Sequence, residues 1–173
     1  MIMNDNKCKN IKLMLFDVDG VLTDGGIIYN GDGNEIKVFN VRDGLGIRLL
    51  MKAGIQVGIV TGRSSDALRH RCQNLGITLV YEGVRNKGAL LNEIVEKTGF
   101  HSEEIAFMGD DLPDLPIMRK AGLSIAVADA HEKVIEQADM VTHLKGGAGA
   151  VREVCEKILK SQGRWSNLME QLF

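Results

Sequence analysis

The fold is decided by Ile11-Lys12-Leu13-Met14-Leu15-Phe16 and the Asp17-Val18-Asp19-Gly20 that follows, an apolar run that passes directly into an acidic turn. A near-continuous apolar run is typical of a strand that is buried on both faces of a parallel sheet. Ligands of such sheets bind beyond the carboxyl ends of the strands. Asp17 and Asp19 therefore stand where this class of fold places its active sites, and Gly20 allows the sharp turn that brings both carboxylates to one site.

Short apolar runs and helical patterns alternate along the rest of the chain. Further apolar runs lie at residues 55–60, 77–80, 105–108, 123–127 and 140–142. Apolar residues recur at helical spacing over residues 43–53, 64–75, 86–98, 112–121 and 151–159. This alternation predicts an α/β fold, a Rossmann-like parallel sheet flanked by helices and joined by right-handed crossovers.

Two segments depart from the alternation. Residues 26–40 carry Asn30-Gly31 and Asp32-Gly33 between apolar runs, which is a strong hairpin signal, so we predict a projecting β-hairpin. Residues 161–173 form a tail with weak periodicity and much apolar surface for a chain end. We expect residues 1–173 to form a single domain that includes both segments.

Composition and charge exclude several classes of function. The chain has 173 residues, 45% hydrophobic and 25% charged, which suits a globular domain. A net charge of −2 gives no electrostatic reason to expect nucleic acid or an anionic membrane as a partner. No apolar run reaches the roughly 20 residues of a membrane span, and the polar residues 1–12 do not resemble a signal peptide. Three widely spaced cysteines form neither a zinc motif nor a disulfide framework, so we expect a cytoplasmic protein.

Polar residues also follow the other predicted strands. They are Thr61, Gly62 and Arg63 after the second strand, Lys87 at the start of the helix after the third, and Asp110, Asp111 and Asp114 after the fourth. Because these strand ends share one edge of the sheet, the carboxylates would repel one another unless a cation lies among them. Oxygen ligands of this kind suit Mg²⁺, and a hydroxyl with a lysine suits a phosphoryl group.

This set of motifs resembles the haloacid dehalogenase superfamily of phosphatases. The motifs occur in the family's order, as residues 17–23, residues 60–63, Lys87 and residues 109–114. The resemblance implies that Asp17 is a nucleophile that forms an aspartyl-phosphate. Asp19 would be the general acid for the leaving alcohol and then the base for water. Thr61 and Lys87 would hold phosphate oxygens, and we expect a phosphoric monoester hydrolase.

The same resemblance implies a Mg²⁺ site and the absence of a cap domain. The side chains of Asp17 and Asp110 and the backbone carbonyl of Asp19 would bind the metal. Asp111 and Asp114 would bind it through water or orient Lys87. Asp19 must hold a proton, so we expect its side chain to stay off the metal. The stretches between the motifs hold too few residues for an inserted cap.

Further motifs resemble the family of 3-deoxy-D-manno-octulosonate 8-phosphate phosphatases, over about residues 11 to 160. The resemblance implies a capless homotetramer whose hairpins meet around a central axis, with the tail near the active site of a neighbour. The implied substrate is an eight-carbon sugar acid phosphate used to build lipopolysaccharide. The implied substrate contacts are Asp19, Asn40, Val41, Arg42, Asp43, Gly44, Arg48, Arg63, Arg71 and Lys87.

One position departs from that family and leaves an alternative open. Ala148 stands in Gly-Gly-Ala-Gly where members often carry an arginine, so a phosphatase of nine-carbon sugar acid 9-phosphates is the second hypothesis. An alternative from another class is a receiver-like signalling domain, which is also α/β and binds Mg²⁺. Its phosphorylated aspartate ends a later strand, and the third predicted strand here ends in Tyr81-Glu82-Gly83. As an alternative to the implied assembly, the hairpin and the tail could both fold back on their own subunit.

Overall fold

The structure, a computed structural model, describes residues 5–171, and within that range it contains a six-stranded parallel sheet and a two-stranded hairpin. The strands are β1 (Leu13–Phe16), β2 (Ile28–Tyr29), β3 (Glu35–Ile36), β4 (Gln56–Val60), β5 (Leu79–Tyr81), β6 (Ile105–Gly109), β7 (Leu123–Ala126) and β8 (Met140–Val141). The sheet has the order β5-β4-β1-β6-β7-β8. The predicted α/β fold is confirmed, and the predicted strands agree within a residue or two.

Helices cover both faces of the sheet. They are α1 (Asp5–Lys9), α2 (Val41–Lys52), α3 (Asp66–Leu75), α4 (Lys87–Thr98), α5 (Leu115–Met118), α6 (Glu132–Gln137), α7 (Ala150–Ser161) and α8 (Trp165–Glu170). One core lies between the sheet and α2, α3 and α7, and the other lies between the sheet and α4 and α5. The central strand β1 is fully buried, with Met14 and Phe16 in the first core and Leu13 and Leu15 in the second. This explains its unbroken apolar sequence.

The helix predicted over residues 112–121 is wrong as a single element. The chain forms a 3-10 turn over Leu112–Asp114 and then the short helix α5. Pro116 causes the change, because a helix over residues 112–121 would need its backbone N–H to bond the Leu112 carbonyl, whereas Pro113 lies in the first turn, where proline is tolerated. The short helices α1, α6 and α8 are absent from the sequence prediction.

The predicted hairpin over residues 26–40 is confirmed, with very short strands. Ile28 pairs with Ile36 in antiparallel register. In the turn, Asn30 Oδ1 accepts the N–H groups of Asp32 at 3.0 Å and Asn34 at 2.8 Å. Apolar side chains of both arms are exposed in the single chain, namely Ile27, Ile28, Tyr29, Ile36 and Val38.

The tail packs on its own chain as far as residue 171. Leu168 of α8 is buried in the core beneath α2 and α7. The Trp165 ring lies 4.9 Å from Lys160 Nζ and 5.8 Å from the Arg152 guanidinium, so α7 provides its contacts. Within the single chain α8 therefore packs against its own subunit, and Leu172 and Phe173 lie outside the described residues. No helix among residues 5–171 is long and apolar enough to cross a membrane.

Candidate active site

The site lies where the chain leaves the middle of the sheet. Phe16 at the end of β1 pairs with Ile59 of β4 on one side and with Met108 of β6 on the other. Successive crossovers run in opposite directions from β1, which makes this point the topological switch where α/β proteins bind ligands. The polar residues after these three strands therefore meet at one edge, as the sequence predicts.

Lys87 is the buried cation at the centre of the site. Its Nζ lies 2.9 Å from Asp17 Oδ1 and 2.6 Å from Asp114 Oδ1. Only 5% of the Lys87 side chain is exposed. Burial acts against the charge, but the two carboxylates outweigh it and raise the pKa of Lys87 above its usual value. The site therefore holds a permanent ammonium beside Asp17.

Asp114 braces the loop after β6. Its second oxygen, Oδ2, accepts the N–H groups of Asp110 at 2.9 Å and Asp111 at 3.3 Å. Gly109 is required here, because a Cβ at that position would lie 2.5 Å from the same oxygen. Since both oxygens of Asp114 have partners, the geometry favours its role in orienting Lys87 over metal binding.

Asp17 and Asp110 have the properties of metal ligands. Carboxylate oxygens of Asp17, Asp110 and Asp114 lie within 4.8 Å of one another. Among the described residues, no hydrogen-bond donor reaches the buried Asp110 Oδ1. Burial, followed by the charges of Asp17 and Asp114, raises the pKa of Asp110 to about 8. Burial and Asp114 likewise raise the pKa of Asp17 to about 6. A hard divalent cation such as Mg²⁺ would remove this repulsion, so the residues present fit the metal.

Gly20 leaves the space that the Asp110 carboxylate occupies. A Cβ on Gly20 would lie 2.1 Å from Asp110 Oδ2, and the backbone there has a φ of +89°. Both facts require glycine at the turn after Asp19.

The Asp19 side chain turns away from the acidic cluster. Asp19 Oδ1 accepts a hydrogen bond from Lys37 Nζ, and Oδ2 lies 3.7 Å from Arg63 Nε. This orientation agrees with the expectation that the Asp19 side chain stays off the metal. Lys37 also lies 2.5 Å from Glu35 Oε1, and Arg63 Nη2 lies 2.7 Å from Glu35 Oε2.

Glu35 and Lys37 are site residues that the sequence prediction missed. They lie two positions apart at the second arm of the hairpin, and side chains at that spacing share one face of a strand. That spacing, in a hairpin directly after the acidic turn, was the available signal.

Thr61 is also at the site, buried at the end of β4. Its Oγ1 accepts the Arg63 N–H at 3.2 Å, across the turn that Gly62 forms. The Arg63 guanidinium reaches the hairpin through Glu35 and through the Tyr29 hydroxyl at 3.4 Å. The turn after β4 is thus joined to both the acidic turn and the hairpin.

Asn40 and Asp43 connect α2 to α7 and to the loop that precedes α7. Asn40 caps α2, accepting the Arg42 N–H at 2.8 Å, and its amide donates to the Gly147 carbonyl at 3.2 Å. Asp43 is buried, and its Oδ1 accepts the Arg152 N–H at 2.7 Å in the first turn of α7. Both side chains therefore have structural partners of their own.

The other residues implied as substrate contacts lie on α2 and α3. Arg71 Nη2 donates to the Asn40 carbonyl at 3.2 Å, and a Cβ on Gly44 would lie 2.3 Å from the same nitrogen. Arg48 Nη2 donates to the Asn74 carbonyl at 2.7 Å. Val41 and Arg42 are exposed in the first turn of α2.

The loop that carries Ala148 lies against the acidic turn. The Gly147 N–H donates to the Val21 carbonyl at 2.9 Å. A Cβ on Gly146 would lie 1.7 Å from the Gly20 carbonyl oxygen. The departure at Ala148 therefore falls beside the site.

Strand-end aspartates, a buried lysine and a threonine at the switch point of a parallel sheet define the class of haloacid dehalogenase-like hydrolases. A family model described as haloacid dehalogenase-like hydrolase matches residues 80–153. The 3-deoxy-D-manno-octulosonate 8-phosphate phosphatase KdsC of Salmonella typhi is 50% identical over 158 residues, which are 91% of this chain and 84% of that protein.

Solved structures agree with the sequence comparison. The 3-deoxy-D-manno-octulosonate 8-phosphate phosphatase from Yersinia pestis is 46% identical with a TM-score of 0.92, covering 94% of this chain and 88% of that one. The enzyme of that name from Moraxella catarrhalis, in complex with magnesium, phosphate and KDO, is 43% identical with a TM-score of 0.95, covering 98% and 97%. The chain belongs to the 3-deoxy-D-manno-octulosonate 8-phosphate phosphatase family and is a phosphatase. The receiver-like alternative is excluded.

Proposed function

We propose that this protein hydrolyses 3-deoxy-D-manno-octulosonate 8-phosphate (KDO 8-phosphate) to the sugar acid and inorganic phosphate, as a step in the supply of lipopolysaccharide precursors. One observation carries the proposal. The Asp17 carboxylate, 2.9 Å from the buried Lys87 ammonium, lies at the switch point of a chain that is 50% identical to a phosphatase of that name. The magnesium, phosphate and KDO in the Moraxella catarrhalis structure support the same substrate class.

In the first step, Asp17 attacks phosphorus and the bond from phosphorus to the sugar oxygen breaks. Asp19 gives its proton to that oxygen, so the oxygen leaves as an uncharged hydroxyl group of the sugar acid. Lys87 and Thr61 hold the phosphoryl oxygens and offset their charge. Asp17 then carries an acyl phosphate.

In the second step, Asp19 takes a proton from water while the water oxygen attacks phosphorus. The bond between phosphorus and the Asp17 oxygen breaks, which releases phosphate and restores both carboxyl groups to their starting states. Asp114 keeps Lys87 in place throughout, since its two oxygens hold the ammonium and the loop of Asp110 and Asp111.

The side chains of Asp17 and Asp110, with the backbone carbonyl of Asp19, would hold Mg²⁺. When bound, the ion supplies positive charge beside the phosphoryl oxygens and keeps both carboxylates ionised.

Guanidinium groups would recognise the sugar acid carboxylate. Arg63 is the best placed, because its Nε lies 3.7 Å from Asp19 Oδ2. Arg48, Arg71 and residues 40–44 complete the proposed set of substrate contacts, and Asn40 and Asp43 also stabilise α2.

The proposal further includes a cytoplasmic location and a homotetramer. The exposed apolar side chains of the hairpin support the homotetramer.

A panel of eight-carbon and nine-carbon sugar acid phosphates, ranked by kcat/KM with Mg²⁺, tests the substrate. We expect the eight-carbon 8-phosphate to rank first. A clear preference for a nine-carbon 9-phosphate would favour the second hypothesis. The variant Ala148→Arg is assayed on the same panel. An added guanidinium beside the acidic turn should change the order of the kcat/KM values if this loop contacts the sugar.

A further inference from the structure

A cluster of four charged side chains joins the hairpin to the acidic turn. We call it the hairpin charge cluster, and its members are Asp19, Glu35, Lys37 and Arg63. The carboxyl groups of Asp19 and Glu35 face the cationic side chains of Lys37 and Arg63. Asp19 lies in the turn after β1, Glu35 and Lys37 lie in the second arm of the hairpin, and Arg63 lies in the turn after β4.

We propose that Lys37 is a positioning residue that holds the Asp19 carboxyl group in the orientation required to protonate the leaving group. The proposal rests on the function proposed above, in which Asp19 is the proton donor. It assigns a role in phosphoryl transfer to a hairpin residue, in addition to the proposed role of the hairpin in assembly.

The burial of Lys37 is the first support. Only 2% of its side chain is exposed, although its apolar neighbours on the same hairpin are exposed. Ordering a long lysine side chain costs rotamer entropy, and burying its charge costs solvation free energy. The contacts with Asp19 and Glu35 offset these costs.

The two oxygens of Asp19 are the second support, because they differ. Oδ1 accepts a hydrogen bond from Lys37. Oδ2 is buried, and no hydrogen-bond donor among residues 5–171 reaches it. Lys37 therefore fixes the carboxyl group of Asp19 through Oδ1 and leaves Oδ2 as the oxygen without a hydrogen bond, with Arg63 Nε 3.7 Å from it.

Glu35 fixes Lys37 and Arg63 in turn. Its Oε1 lies 2.5 Å from Lys37 Nζ and its Oε2 lies 2.7 Å from Arg63 Nη2. Without Glu35, Lys37 would keep Asp19 as its one remaining ion-pair partner among the described residues. Ion pairs thus connect all four members, and Lys37 is the member that donates a hydrogen bond to the proposed proton donor, Asp19.

Two esters that differ in their need for a proton donor test the proposal. An alkyl phosphate such as KDO 8-phosphate releases a strongly basic alkoxide, whereas p-nitrophenyl phosphate releases a stable phenolate. The ratio kcat/KM reports only the steps up to transfer of the phosphoryl group to Asp17. General acid catalysis is worth about 100-fold or more where it is needed.

We expect Lys37→Met to lower kcat/KM for the alkyl phosphate by about tenfold or more, and for p-nitrophenyl phosphate by less than about threefold. Lys37→Arg should recover most of the loss, because a guanidinium can also donate to Asp19. Lys133→Met is the matched control, since Lys133 is exposed and pairs with Glu136 on α6. It should leave both values unchanged.

Equal losses on the two esters would overturn the proposal, because they would mean that Lys37 only fastens the hairpin. Unchanged values on both would also overturn it. Light scattering and thermal melting confirm that the variant is assembled and folded, and Lys37→Gln replaces Lys37→Met if the latter does not fold. If the wild-type enzyme cleaves other alkyl phosphates but not KDO 8-phosphate, the proposed substrate fails, and the comparison of alkyl and aryl esters still tests Lys37.

Discussion

At the scale of single residues, the site balances one buried ammonium against carboxylates that would otherwise repel one another. Lys87 neutralises part of the charge of Asp17 and Asp114, but Asp110 receives little of this benefit, and the pKa of Asp110 is raised to about 8. The free energy of this arrangement therefore depends on pH and on a bound cation.

The raised pKa values predict how metal-free protein responds to pH. In the unfolded chain these carboxyl groups titrate near 3.8, whereas in the folded protein Asp17 titrates at about 6 and Asp110 at about 8. The folded state therefore binds protons more tightly, so this stabilisation is present at low pH and is lost as the pH rises through about 6 and about 8.

Thermal melting measures this dependence with a chelator or with Mg²⁺. We expect the melting temperature measured with chelator to decrease as the pH rises from about 4 to about 8, and the increase in melting temperature caused by Mg²⁺ to grow over the same range. Asp110→Asn should flatten the chelator curve. A Mg²⁺ effect that is largest in acid would contradict the assignment of Asp17 and Asp110 as metal ligands.

At the scale of elements, the packing of α2 against α7 supports the acidic turn. Gly46 lets the helices approach, because a Cβ there would lie 3.1 Å from the Arg152 Cα. Within the described chain, Gly149 precedes α7 and has no side chain that could cap the helix. The carboxylate of Asp43 on α2 accepts the Arg152 N–H in its place. Asn40, which caps α2, also donates a hydrogen bond to the Gly147 carbonyl, and the Gly147 N–H in turn bonds the Val21 carbonyl.

Removal of the Asp43 carboxylate should destabilise the protein. Asp43→Ala leaves the Arg152 N–H without its acceptor, so we expect the free energy of unfolding to fall by about 1–2 kcal/mol. Asp43→Asn keeps an acceptor oxygen and should lose less. Urea unfolding of the two variants measures the difference, with kcat and KM recorded alongside. A normal stability of Asp43→Ala would contradict the capping role and leave substrate contact as the function of Asp43.

The elements differ in how far sequence predicts them, for physical reasons. The strands were predictable because burial on both faces makes β1 wholly apolar, and the strand-end motifs gave Asp17, Asp110 and Lys87 without knowledge of any contact. Lys37 was missed because its role depends on how the hairpin folds over Asp19. The link from Asp43 to Arg152 was equally inaccessible, since it depends on the approach of two helices distant in sequence.

At the scale of the whole molecule, the exposed apolar hairpin indicates a surface that assembly would cover. A two-stranded ribbon with Ile27, Ile28 and Val38 open to water is costly for an isolated chain. The tail does not add to this surface as far as α8, because Leu168 is buried in its own subunit. The proposed homotetramer therefore rests on the hairpin.

Light scattering tests the proposed assembly. We expect a homotetramer at micromolar concentration, and a stable particle of 19.0 kDa would contradict it. Val38→Lys places a charge on the hairpin where the side chain is 67% exposed, so it should weaken assembly without unfolding the subunit. Leu144→Lys is the matched control, because Leu144 is an exposed leucine on the loop after β8 and should leave the tetramer intact.

The central claim, that Asp17 is the nucleophile, is tested most directly by trapping the covalent intermediate. A single turnover of KDO 8-phosphate with Mg²⁺ is quenched, reduced with borohydride and analysed by peptide mass spectrometry. Reduction converts an acyl phosphate of aspartate to homoserine, so we predict homoserine at position 17 in the wild-type protein and neither label nor turnover in folded Asp17→Asn. Homoserine at another aspartate, or near-normal turnover by Asp17→Asn, would contradict the account.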